Sequence, residues 1–142
     1  VALTRRAAAA AQRAAAPEAQ FRWESQLAGL LLAGGDRAGA LFAYRRAVGT
    51  LDELRGPGVA GLGFADSVEP VYRGLVDLLL REAAATSPPE QRRALLDESR
   101  QRLEELKSAE LRDYFEDACL ASEVRSRAEQ VAGAVVVYPV LL

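Results

Sequence analysis

The sequence predicts an all-α protein, built of antiparallel helical hairpins and one long helix, with a single C-terminal β-strand. Three observations predict it. Apolar residues recur at spacings of three and four through residues 18–33, 37–54 and 66–85, which is the period of a helix face. The stretch Ser87–Cys119 holds no glycine, and no proline after Pro89, so nothing in it breaks a helix. Alanine is frequent while aromatic residues make up only 6% of the chain, which suits close-packed helices better than a β-sandwich.

The elements follow in order. Residues 1–20 are alanine-rich and are interrupted by Pro17. They read either as a helix with a smooth, small-residue surface or as a flexible linker; Ala7–Ala11 and Ala14–Ala16 carry the helix propensity. A helix over about 18–33 carries Phe21, Trp23, Leu27, Leu30 and Leu31. Gly34-Gly35-Asp36 is a turn, with glycine ending one helix and Asp36 capping the next. The partner helix, about 37–54, aligns Ala40, Leu41, Tyr44, Ala47, Val48, Leu51 and Leu54. Two such helices joined by so short a turn form an antiparallel hairpin.

Residues 55–65 (RGPGVAGLGFA) read as a loop. The spacing of Gly61 and Gly63 superficially suggests a phosphate loop, but no Lys-Ser or Lys-Thr follows and no strand precedes it. A helix over 66–85 opens with Asp66 and Glu69 at capping-box spacing and with Pro70 near its first turn. Its inner face is Val68, Val71, Tyr72, Leu75, Val76 and Leu79, widened by Leu78 and Leu80, so it is expected to be central.

The long helix is expected to start at Ser87 as N-cap, with Glu90 three residues on and Pro88-Pro89 in the first turn. Leu96, Leu103 and Leu106 would share one face, flanked by Leu95 and Ser99, and Glu98 would pair with Arg102. About 30 residues at 1.5 Å rise give a rod of roughly 45 Å, long enough to pack several neighbours. Residues 120–133 are polar and irregular. Residues 134–142 (AVVVYPVLL) are a β-branched, strand-type run. Pro139 restricts that strand to a sheet edge.

The 18–54 hairpin resembles a tetratricopeptide repeat. The match lies in Leu27-Ala28, Gly35, Ala40, Tyr44 and Ala47. Small residues there let two helices approach closely, and the tyrosine fills the groove between them. The tryptophan of the pattern is displaced: Trp23 stands beside Glu24, where it is expected. A plain amphipathic hairpin is the alternative. Further on, Glu105-Leu106-Lys107, Ala109-Glu110-Leu111, Asp113-Tyr114-Phe115, Asp117, Cys119 and then Val137-Tyr138-Pro139 resemble the linker region of bacterial CHAT-domain proteins. In those proteins tetratricopeptide-like helices precede a caspase-like peptidase domain. Trp23, Gly35-Asp36 and Leu78-Leu79-Leu80 extend the resemblance over roughly residues 21–142. It implies a repeat-like helical domain over 1–130, and a terminal strand over 131–142 that begins a downstream domain. It implies too that the catalytic His/Cys pair belongs to that downstream domain.

Composition narrows the function classes. Twenty acidic residues against 18 basic ones give a net charge of −2, which provides no general field for nucleic acid or an anionic membrane. No stretch of 18 apolar residues exists to span a membrane, and the N-terminal region lacks the leucine-rich core of a signal peptide. One cysteine makes a reducing compartment, hence the cytoplasm, the expectation. No histidine occurs, so the usual general base and commonest metal ligand are missing. Cys119, with no histidine to activate it, reads as a packed residue. Methionine is absent even at position 1, so a fragment or processed chain is expected.

We therefore expect a non-catalytic scaffold without a cofactor, which engages a protein partner or a downstream domain of its own polypeptide. Glu24, Arg45 and Arg46 are the candidate partner contacts, on a concave face formed by the helices at 18–33 and 66–85. A self-associating module is the alternative, pairing through Val135, Val137 and Tyr138 to give a homo-oligomer. A metal-binding reading of Glu110, Asp113, Glu116 and Asp117 needs histidines or matching acids on another helix, so a solvated acidic face is preferred.

Overall fold

Pro17, Gly35, Asp36 and Pro89 set most of the helix ends by local backbone chemistry. The structure is a computed structural model that describes residues 1–54 and 67–115, with side chains described as far as Leu111. Its helices are α1 (Ala2–Arg13), α2 (Pro17–Ala33), α3 (Arg37–Leu54), α4 (Glu69–Ala85) and α5 (Pro89–Phe115). No strand occurs among the described residues. The loop reading of 55–65, the Asp66 cap, Cys119, and the strand with Val135, Val137 and Tyr138 all lie outside them. The described chain is all-α and divides into two units, one of residues 1–78 and one from Leu79 onward.

In the first unit the alanine-rich start is a helix, which settles the choice between helix and linker. Ala14–Ala16, expected to be helical, form a turn instead. The reason is Pro17, which disfavours helical backbone at the residue before it; Ala16 sits at φ −109, ψ 76. The turn places Ala15 in the left-handed region, at φ 49. Ala16 N–H donates to Ala11 O at 3.0 Å and Ala15 N–H to Gln12 O at 3.1 Å, the paired bonds of a Schellman ending. The α2–α3 turn repeats this geometry. There Asp36 N–H donates to Leu31 O at 2.9 Å, Gly35 N–H donates to Leu32 O at 3.0 Å, and Gly35 has φ 81. Asp36 then caps α3 as expected, its Oδ1 accepting Gly39 N–H at 2.9 Å.

Helices α2 and α3 form the antiparallel hairpin. Gln20 and Glu24 near the start of α2 meet Thr50 and Arg46 near the end of α3. Ala28 and Leu31 cluster with Ala40 and Ala43 beside the turn. Helix α1 packs along α2, burying Thr4, Ala8 and Ala11. The first ten residues of α4 complete the unit. Val71, Tyr72, Leu75, Val76 and Leu78 are all buried, and the Tyr72 hydroxyl donates to Asp52 Oδ1 at 3.0 Å. That bond satisfies a buried phenol that would otherwise be costly to leave unpaired. Every residue of the predicted inner face of α4 is buried.

The second unit differs from expectation at two points. The long helix starts at Pro89, and Pro88 O accepts the first helical bond, from Arg92 N–H at 3.0 Å. Pro88 is itself followed by proline, which excludes it from helical backbone, so the start moves on by one residue and Ser87 falls outside the cap position. The Arg92 side chain donates to Thr86 O at 3.0 Å and Ser87 O at 3.4 Å instead. The buried stripe of α5 keeps Ser99 and Leu106, with Leu95 and Leu103 half-buried, but not Leu96. Leu96 is 44% exposed, while Ser99, Leu106 and Ala109 are buried. Ser99 tolerates burial because its hydroxyl donates to Leu96 O, one turn back, at 2.8 Å. Arg102 meets Glu105 at 2.7 Å, and Arg93–Asp97 and Arg100–Glu104 are looser pairs at 3.9 and 3.8 Å.

Candidate functional site

Position 24 lies about two turns into α2, on the side that faces α3. Its carboxylate is 2% exposed and is the centre of a polar network inside the hairpin. Oε1 accepts Gln20 Nε2 at 3.1 Å and pairs with Arg46 Nη2 at 2.8 Å. Oε2 accepts the Thr50 hydroxyl at 3.1 Å. That hydroxyl also lies 3.1 Å from Arg46 O; its single proton serves one acceptor at a time, and the charged one is stronger. Gln20 Nε2 donates to Thr50 Oγ1 as well, at 3.1 Å. Arg46 continues outward to Gln12 Oε1 at 3.2 Å, so one guanidinium ties α3 to both α1 and α2.

This arrangement changes the role of one predicted contact. Glu24 was expected to be a surface contact, and the structure turns it inward to hold the hairpin together. Arg46 is half-exposed and shares that network. Arg45, its neighbour, points to the solvent side of α3. Glu24 and Arg46 are thus brought together, while Arg45 stands apart. Among the described residues no group of three or more acidic, cysteine or histidine side chains is placed to hold a metal ion. Glu110 is exposed, and Glu116 and Asp117 lie outside the described residues.

The small residues that carry the repeat-like pattern sit where helices meet. Ala28, Ala40 and Ala47 are fully buried, and Tyr44 packs on the cluster of Ala28, Leu31, Ala40, Ala43 and Leu78. Gly74 of α4 leaves the room for the Tyr44 ring: a Cβ there would come within 2.7 Å of it. Burial, and secondarily the nearby Asp77 carboxylate, push the Tyr44 hydroxyl above the usual tyrosine range. Trp23 is 39% exposed, and the adjacent position 24 is the one that points inward.

Among the described residues of this unit, concavities open in two places. One, of about 670 Å³, lies at the start of α2 between Pro17, Arg22, Trp23, Gln26 and Leu54. The other, of about 350 Å³, runs between α1, α2 and α3. Its floor is the buried Ala8, Leu31 and Ala43, and its rim includes the exposed Arg5 and Phe42. Sequence reasoning missed Phe42, Thr50 and Gly74. Phe42 could have been found, because it falls off the predicted stripe of α3 and a large apolar residue there has to face outward. Among the described residues, no helix is long and apolar enough to cross a membrane. No family model, no curated protein and no solved structure matches this chain.

Proposed function

We propose that this chain is a non-catalytic protein–protein interaction module of tetratricopeptide type, serving as the helical regulatory part of a larger CHAT-type, caspase-like protein. The observation that carries the reading is the way the signature residues are used. Ala28, Ala40 and Ala47 are each 0% exposed at helix contacts, and Tyr44 fills the gap left by Gly74. Position 24, where the pattern expects a buried tryptophan, is buried and filled by glutamate, with Trp23 displaced outward. The repeated turn geometry of α1–α2 and α2–α3 supports a repeat-type stack, in which each helix pair relies on its neighbours to cover its faces. The buried Glu24 carboxylate is used for pairing inside the hairpin, with Arg46 and Thr50. The link to a caspase-like domain rests on the resemblance of residues 105–119 and 137–139.

Large apolar side chains on the surface make the reading testable. Trp23, Leu30 and Phe42 are 39%, 40% and 63% exposed, so replacing each by aspartate leaves the core intact. Affinity capture with the whole encoded polypeptide, wild type against each variant, should find a protein whose recovery falls with at least one of them. If all three variants leave every captured protein unchanged, the module reading fails. The encoded polypeptide beyond Leu142 should also carry a β-rich domain with a histidine and a later cysteine, and a frame without one removes the CHAT assignment.

A further inference from the structure

Helix α1 is held by little. It buries Thr4, Ala8 and Ala11, side chains with few apolar atoms to remove from water, while Leu3, its one large apolar residue, is 77% exposed. The hydrogen bond that ties it to α3, from Arg46 Nη2 to Gln12 Oε1 at 3.2 Å, is exposed, so water replaces it at little cost. The groove of about 350 Å³ between α1, α2 and α3 interrupts the packing further. The junction beyond α1 is strained: Ala15 stands in the left-handed region at φ 49, which an alanine adopts only at a cost. It is also a clean break. Helix α2 begins anew at Pro17, and Gln20 N–H donates to Ala16 O at 2.9 Å, so α1 can leave without unwinding α2.

We propose that α1 is a strap that undocks about Ala14–Ala16 while the α2–α3 hairpin stays folded, and that it sets how much apolar surface the hairpin presents. Docked, α1 walls a groove floored by Leu31 and Ala43, which are 6% and 3% exposed. Undocked, it bares both beside Leu27 and the already exposed Phe42, which line the same groove. The hairpin keeps its own bonds throughout. Arg46 loses Gln12 but retains Glu24, and Glu24 retains Gln20 and Thr50. Alone, α1 has 12 residues, and an isolated helix so short is marginal in water even when alanine-rich. Undocking and unwinding are therefore one event, the local opening that backbone amide exchange reads directly. The strap stands apart from the interaction-module reading, since it needs no partner.

Hydrogen exchange followed by mass spectrometry on the whole chain tests it, with peptides of α1 and of the hairpin read separately. The amides of residues 5–13 are hydrogen-bonded within α1, beginning with Arg5 N–H to Val1 O. Corrected for intrinsic rates, they should exchange at least about tenfold faster than the buried stretches of α2 and α3. Ala8→Glu puts a carboxylate on the docked face. It should strip protection from α1, leave that of the hairpin unchanged, and raise the fluorescence of an anilinonaphthalene sulfonate dye, which reports bared apolar surface. Ala9→Leu extends a half-buried residue into the groove and should slow α1 exchange by roughly tenfold and lower the dye signal. A common exchange rate for α1 and the hairpin overturns the proposal. So does loss of hairpin protection in Ala8→Glu, or α1 protection that neither variant moves. Dye fluorescence that stays at the wild-type level when Ala8→Glu opens α1 overturns the role in surface exposure.

Discussion

Gly74→Ala isolates the contact on which the packing of α4 against Tyr44 depends. In an exposed helix interior, glycine to alanine stabilises by about 0.5–1 kcal/mol, because the unfolded chain loses freedom and alanine favours the helix. Gly29 in α2 and Gly49 in α3 are such positions, with nothing within 4 Å of a built Cβ. At Gly74 the same Cβ would lie 2.7 Å from the Tyr44 Cζ and Oη and 2.8 Å from its Cε1. Comfortable carbon contacts begin near about 3.5 Å, so the ring has to retreat by roughly 1 Å. Tyr44 is packed on Ala28, Leu31, Ala40, Ala43 and Leu78, which leaves it little room, and overpacking of this kind costs about 1–3 kcal/mol. Set against the propensity gain, Gly74→Ala should destabilise by up to about 2 kcal/mol, whereas Gly29→Ala and Gly49→Ala stabilise. Urea unfolding followed by circular dichroism, with the sole tryptophan as a second probe, reads all three. Tyr44→Leu shortens the obstructing side chain, so adding Gly74→Ala to it should no longer destabilise. A Gly74→Ala midpoint that rises as much as that of Gly29→Ala, or a cost that persists in the Tyr44→Leu background, refutes the reasoning.

Three further outcomes follow from the same geometry. Ala15→Gly should stabilise by roughly 0.5 kcal/mol, because it relieves a left-handed alanine at φ 49, while Gly35→Ala at φ 81 should cost about 1 kcal/mol; the two unfolding midpoints must move in opposite directions. Glu24→Ala should cost about 1–3 kcal/mol by removing the buried acceptor shared by Gln20, Thr50 and Arg46, a loss limited by the bonds that remain from Gln20 to Thr50 and from Thr50 to Arg46 O. Arg46→Ala should cost at least as much, because although the guanidinium is 41% exposed and partly screened, its loss leaves the buried Glu24 carboxylate without a counter-charge, and a double-mutant cycle in urea gives their coupling. The Tyr44 phenol titrates above its ordinary value of 10 because burial, and then Asp77, disfavour the phenolate. Below that value the folded and unfolded chains are equally protonated and the stability contribution is whole. As pH rises past it the unfolded chain gives up its proton first, and the contribution is lost as pH climbs through the folded value. Tyr44→Phe should therefore flatten the alkaline decline in stability, measured as urea midpoint against pH; an unchanged decline disproves the assignment.

Position by position, local chemistry was legible and facing was not. Asp36 as a cap, Gly35 as a helix stop and Pro17 as a helix breaker act through their own backbone and its nearest neighbours, so the sequence alone determined four of the five helices to within a few residues. The start of α5 moved because Pro88-Pro89 is a steric pair, readable in principle but outweighed in the reading by the capping-box spacing of Ser87 and Glu90. The buried small residues were legible too, since Ala40 and Ala47 lie seven apart on one face of α3 and Ala28 follows Leu27 in α2.

The candidate site was only half readable. Arg46 was singled out, but its partner Glu24 was expected on the surface, and Phe42 and Arg5 were not considered. Burial is set by which neighbour covers a face, and that neighbour is remote in sequence. Glu24 is inside because Thr50 and Arg46 meet it from another helix; Trp23, one residue earlier, points about 100° away around the helix. Ser99 is buried and Leu96 exposed for the same kind of reason: hydrophobicity biases the choice of face, but packing against other elements makes it. Gly74 matters only because a tyrosine 30 residues earlier occupies the space beside it. The sequence by itself determined that this chain is helical and where most of its helices begin and end, because those are properties of neighbouring residues. Only the tertiary structure decided which side chains form the core, which carboxylate holds the hairpin and which aromatic is left at a groove, because those depend on residues brought together by the fold.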